Sequence, residues 1–159
     1  MEAQTEREPV REDVWLRRLA GEWSVESPAP YGEGTIKGRE TGRLFGNWVV
    51  LEGASQMPDA SVHSSLMTLG YDPARGKVVG SWVGSMMSHL WVYEGGLDAA
   101  GDTLTLATHG PVMDGSGGTA DYEDIITFEG EDTRLLTSRQ RQPDGTWRDL
   151  FCVRYSREG

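Results

Sequence analysis

From Gly34 onward, apolar and polar residues alternate in short runs broken by Gly, Pro, Asp and Asn, the pattern of strands with one face buried. The runs are Thr35–Phe45, Asn47–Met57, Ser65–Tyr71, Lys77–Val83, His89–Gly95, Thr103–His109, Asp121–Phe128, Thr133–Gln140 and Thr146–Tyr155. Gly21–Glu26 reads as an earlier strand, ended by Pro28, Pro30 and Gly32. Turn chemistry separates neighbours: Gly46-Asn47, Asp72-Pro73-Ala74-Arg75-Gly76, Asp98 to Gly101, Glu129 to Asp132, and Pro143-Asp144-Gly145. One segment has a different period. Val14, Trp15, Leu16 and Leu19 form a stripe at helical spacing, which predicts a short helix over Glu12–Leu19, stopped by Gly21.

About ten short antiparallel strands joined mainly by hairpins close into an up-and-down barrel or stack as a sandwich. Nearest-neighbour connections favour the closed barrel, which leaves no exposed sheet edge. The expected architecture is all-β: residues 1–10 as a loose, flexible, charged lead-in and 11–157 as one barrel domain, with the helix plugging or flanking one end. A chain of 159 residues suits a single core. The 21 Gly, 6 Trp and 5 Tyr suit many strands and tight turns.

Charge narrows the partners. With 25 acidic against 15 basic residues, the net charge of −10 repels nucleic acid and anionic lipid surfaces. No apolar run is long enough for a membrane helix, and Met1–Arg11 is polar, so a cytoplasmic protein is expected. The one cysteine, Cys152, lies between Phe151 and Val153 and reads as a core filler in a reducing compartment.

The segments Leu19-Ala20-Gly21-Glu22-Trp23, Gly70-Tyr71-Asp72-Pro73, Gly80-Ser81-Trp82, Trp91-Val92-Tyr93-Glu94-Gly95, Leu104-Thr105-Leu106 and Asp144-Gly145-Thr146-Trp147 resemble the bacterial family named domain of unknown function fifteen-seventy-nine. The likeness runs from about Trp15 to Arg157. It implies a calycin-like barrel, with lipocalins, fatty-acid-binding proteins and nitrobindin as distant relatives. By the lipocalin pattern, Gly21 and Trp23 on the first strand would meet Arg154 on the last, guanidinium on indole. The nitrobindin-type haem pattern does not stand in this sequence, and no cofactor is expected.

Candidate chemistry centres on Gly80–Gly96, which packs Trp82, Met86, Met87, His89, Trp91 and Tyr93 between glycines. Such a mixture fits one wall of a small-molecule pocket. The candidate ligand-binding residues are Trp48, Trp82, Met86, His89, Trp91, Tyr93, Tyr122 and Arg139. Register decides the relation of His89 to His109. A two-residue turn sets them on opposite faces, and a shift of one residue sets them side by side. No ligand spacing marks a metal site. Counting back from the turn at Gly130-Glu131 puts Arg139 near Tyr122 or Glu123. That pair is a clamp for a ligand carboxylate if it points inward, and a surface salt bridge if outward. Glu52, sharing a face with Trp48, Val50 and Ala54, poses the same question. The loop Pro111–Gly118 is a glycine-rich gate at a barrel mouth or a plain connection.

Three functions fit. The first is a binding protein for a small, largely apolar molecule. The second is a cofactor-free isomerase or cyclase using His89, Tyr93, Glu52 or Glu123 for proton transfer. The third is an interaction protein with a filled barrel that dimerises through a sheet face. Lack of a complete catalytic motif favours the first.

Overall fold

The computed structural model describes residues 7–28 and 34–158. A helix, α1 (Arg11–Arg17), precedes ten strands: β1 (Gly21–Pro28), β2 (Thr35–Phe45), β3 (Trp48–Gln56), β4 (Val62–Asp72), β5 (Lys77–Gly84), β6 (Trp91–Leu97), β7 (Thr103–Pro111), β8 (Thr119–Phe128), β9 (Thr133–Arg141) and β10 (Trp147–Arg157). Each strand pairs antiparallel with its chain neighbours, and β1 pairs with β10, so the sheet closes. It is an all-β, up-and-down, ten-strand barrel. The turn signals at Pro28, Pro30 and Gly32 fall partly on residues 29–33, outside the described residues.

The hairpin turns form where the sequence supplies the dihedrals. Gly76 takes φ +65°, and its amide donates to the Asp72 carbonyl at 2.8 Å, closing the β4–β5 turn. Because strands alternate direction, the turns at residues 46–47, 73–76, 98–102 and 129–132 gather at one end of the barrel. The connections at 57–61, 85–90, 112–118 and 142–146 gather at the other. These two ends are built differently.

Helix α1 caps the first end. Asp13, in the first turn, accepts from the Val10 amide at 2.9 Å and from Arg7 Nη2 at 2.7 Å. It satisfies one of the helix's orphan donors and holds the lead-in against the barrel. Arg11 Nη1 donates to the Asp98 carbonyl, Trp15 Nε1 to that of Asp102, and Arg18 Nη2 to that of Gly130. The apolar stripe Trp15, Leu16 and Leu19, all buried, closes over Trp23 and Phe128. Above this seal lies a continuous core of Val25, Val49, Leu51, Leu69, Val78, Leu104, Leu106 and Ile126.

Three expectations are corrected. Trp23 meets Arg157, not Arg154: β1 and β10 pair Trp23 with Arg157, whose guanidinium carbon lies 4.2 Å from the indole centroid. Arg157 also donates to the carbonyls of Ala20 and Arg18, tying β10 to the helix exit. Arg154 has the opposite parity and sits outside, 3.5 Å from Glu129. Cys152 is exposed rather than core, because Phe151 and Val153 on either side take the inward positions. The β6–β7 turn is longer than either expected form: Leu97 pairs with Leu104, and the Asp98 amide donates to the Thr103 carbonyl.

Candidate functional site

Strand alternation assigns each candidate to a wall face. On β5 and β6 the inward residues include Trp82, Trp91 and Tyr93, with Trp82 opposite Trp91. On β8 they are Tyr122, Asp124, Ile126 and Phe128. Four of the predicted residues, Trp82, Trp91, Tyr93 and Tyr122, therefore share the interior. Trp91 is the hub of this group. Tyr122 lies edge-on to it at 5.1 Å, His89 at 4.6 Å, and its Nε1 donates to Met87 Sδ at 3.1 Å. Gly110 makes room for the ring, since a Cβ there would fall 2.4 Å from Trp91 Cζ3.

The other candidates lie elsewhere. Trp48 is 44% exposed on the outer face, lying over Gly70, where a Cβ would meet its ring at 2.5 Å. Glu52 is also outside, bonded to Arg43 at 2.7 Å. Glu123 and Arg139 pair across β8 and β9 as one of the two counted registers expects, and both point outward. Arg139 Nε donates to Glu123 Oε1 at 2.9 Å, and Trp147 covers the guanidinium at 4.7 Å. Met86 and His89 belong to the connection between β5 and β6, at the end opposite the helix. His89 Nε2 lies 3.2 Å from the His109 carbonyl oxygen, while the His109 ring is outside, 2.8 Å from Asp121.

Inside the barrel the structure adds polar groups that sequence reasoning did not single out. Arg134 on β9 is 2% exposed, ion-paired with Glu40 of β2, and lies 3.8 Å from the Tyr155 ring and 4.7 Å from that of Trp23. This pair neutralises itself within the core. Tyr93 donates its hydroxyl to Asp124 Oδ2 at 2.5 Å, and Ser138 bonds to the same carboxylate. Burial pushes the Asp124 carboxyl above its ordinary range, opposed by these two hydrogen bonds. Burial first, then the Asp124 charge, pushes the Tyr93 hydroxyl well up. The signal for Asp124 was its parity with Tyr122. Nothing in sequence spacing joins Glu40 to Arg134, which lie far apart in the chain and meet only through barrel closure.

The interior is sealed at the helix end and, on part of its wall, less buried at the other. Trp23, Leu51, Leu69, Val78 and Leu104 are at most 2% exposed. Toward the connections at 57–61 and 85–90, the inward Gly53, Ser55, His63, Ser65 and Trp82 are only half-buried, as are Leu136, Phe151 and Val153 along β9 and β10. Asp124, deep enough for burial to shift its carboxyl, is half-buried too. A separate groove of about 270 Å³ on the outer wall of β10, β1 and β2 is lined by Glu26, Lys37, Arg39, Arg154 and Glu158. Two of its cations are already paired, Arg39 with Glu158 and Arg154 with Glu129.

The family described as "Protein of unknown function (DUF1579)" matches residues 8–157. The chain belongs to this family. No curated protein matches it. Among solved structures it is similar to the one described as "Structure of EF1p2_mFAP2b bound to DFHBI", with a TM-score of 0.50 and 11% identity over 92% of this chain and 98% of the other. That likeness concerns the barrel fold. This DUF1579 member is thus a closed ten-strand up-and-down barrel with an aromatic wall, an ion-paired Glu40 and Arg134, and, among the described residues, an inward carboxylate at Asp124.

Proposed function

We propose that this protein binds a small, largely apolar molecule inside its barrel, entering at the end opposite α1. The observation that carries this reading is the gradient of burial along the inward faces. Most inward side chains of the helix end are sealed, whereas in the other half those of β3, β4 and β10, with Trp82 of β5, keep accessible surface while Trp91 and Tyr122 are buried. A barrel serving only as a packed core would bury both halves alike. Trp82, Trp91 and Tyr122 supply flat apolar area with little rotamer entropy to lose, the composition of a preformed ligand wall. The similar solved barrel is bound to DFHBI, which fits this reading at the level of shape.

Proton-transfer catalysis is the weaker reading. Glu52 and Glu123 are ion-paired on the outer face, and His89 stands by the His109 carbonyl. Of the proposed proton carriers only Tyr93 is inside, and its hydroxyl is already engaged as a hydrogen-bond donor to Asp124.

Titration with N-phenyl-1-naphthylamine, whose emission rises in apolar surroundings, tests the proposal. Saturable binding is expected, weakened about tenfold by Trp82→Ala through the lost wall area, and unaltered by Trp48→Ala on the outer face. No saturable binding, or equal loss in both variants, overturns it.

A further inference from the structure

The charges facing the accessible space carry a statement about the ligand's polar end. Glu40 and Arg134 pair with one another, so their charges offset, although Arg134 Nε is left without a hydrogen-bond partner among the described residues. Arg139, the other candidate anion clamp, is committed to Glu123 outside the barrel. Arg157 is inward only at the sealed end, where it donates to the Ala20 and Arg18 carbonyls. Among the described residues no Lys, Arg or His pairs with Asp124, whose partners are the Tyr93 hydroxyl and Ser138. Among the described residues, Asp124 is thus an inward carboxylate without a counter-cation, on the same interior as Trp82, Tyr93 and Trp91.

A carboxylate that far inside needs a positive partner or must give up its charge. A ligand cation supplies that partner. Aromatic faces around it add to the attraction, and the net charge of −10 raises the local concentration of cations. An anionic head would meet the Asp124 carboxylate, while the Arg134 guanidinium is already bound to Glu40 through Nη2.

Resting on the reading of the interior as a binding site, we infer that its ligand is an apolar molecule bearing a protonated amine, which Asp124 accepts on the inner wall of the barrel while the aromatic side chains hold the apolar body. Thr108 adds a second polar contact point on the same wall. It points inward from β7, opposite Tyr122, and its buried hydroxyl has no hydrogen-bond partner among the described residues.

The test is displacement of N-phenyl-1-naphthylamine by decylamine, decanol and decanoate at neutral pH, each below its micelle concentration. Decylamine is expected to compete about tenfold better than decanol, and decanoate least, since a hydrogen bond to a charged group outweighs a neutral one. In Asp124→Asn the amine's advantage over the alcohol should collapse to near unity. Equal competition by all three, preference for decanoate, or an amine preference that survives Asp124→Asn overturns the inference while leaving the binding function standing. Failure of the probe itself to bind removes the underlying reading instead. The comparison of heads on the unaltered protein decides the question even if the variant does not fold.

Discussion

Asp13 and Asp124 are both covered carboxylates, and their surroundings push them in opposite directions. Asp13 is 3% exposed, and its carboxyl is held below the ordinary range, chiefly by the Arg7 hydrogen bond and then by the Val10 amide. Asp124 is raised by burial, with only neutral donors opposing. For Asp13 the native state binds its proton less readily than the unfolded chain. Its stabilisation is therefore present above the unfolded pKa of about 3.9 and lost as pH falls through the lower folded value. For Asp124 the native state binds its proton more readily, so its contribution declines as pH rises from about 3.9 through the raised folded value. Urea denaturation of the two Asn variants from pH 3 to 8 should separate them by sign. Asp13→Asn is expected to lose about 1 kcal/mol at neutral pH through the weakened cap and ion pair, with the deficit vanishing in acid. Asp124→Asn is expected to be more stable than the parent at neutral pH, with the gain vanishing in acid. Equal signs at pH 7 would contradict the environments assigned to the two residues.

Among the elements, the strands were legible because each carries its own alternation and its own turn chemistry; the helix was legible because Trp15, Leu16 and Leu19 break that period. Facing was harder to read. Trp48 and Trp82 are both aromatic on alternating strands, yet Trp82 lies inside and Trp48 outside. Trp48 covers the bare backbone of Gly70, so an outer position still shelters most of its ring. The β8–β9 turn left Arg139 opposite Tyr122 or Glu123, and both the choice of Glu123 and the outward facing of that pair depend on Tyr122 being inward. Arg157 was displaced from the expected Arg154 because one step of parity moves a side chain across the sheet. Glycine is what lets the aromatic wall lie close to the strands. At Gly110 a Cβ would fall 2.4 Å from Trp91 Cζ3 and 2.8 Å from His89 Nε2, within a strand whose dihedrals any residue adopts. Gly110→Ala therefore acts by overpacking rather than by backbone strain. It should cost about 1–3 kcal/mol in urea denaturation and change the near-ultraviolet circular dichroism of Trp91. Gly115→Ala, where nothing lies within 4 Å of a new Cβ but φ is +77°, should cost backbone strain and leave that spectrum alone.

Across the whole molecule, barrel closure makes the two ends unequal. One end is tied by α1 through side-chain bonds to the carbonyls of Asp98, Asp102 and Gly130, and by Arg157 to those of Arg18 and Ala20. The other carries the 85–90 and 112–118 connections, where Met86 and Met113 are exposed and Gly115 and Gly117 hold positive φ. Loops with few apolar contacts open at low free energy, whereas the tied end opens only with the core. Amide exchange should therefore be slow at Trp23, Leu51, Leu69 and Leu104 and fast through 112–118. A ligand held against Trp82 and Trp91 binds only the folded barrel, so it lowers the frequency of opening around its site in proportion to its occupancy. With N-phenyl-1-naphthylamine near saturation, protection should rise in 84–91 and along the half-buried stretch of β10 around Phe151 and Val153, and stay unchanged in the loops at 73–76 and 98–102. Protection rising instead at those helix-end loops would place the entrance beneath α1, and the burial gradient would then have another cause.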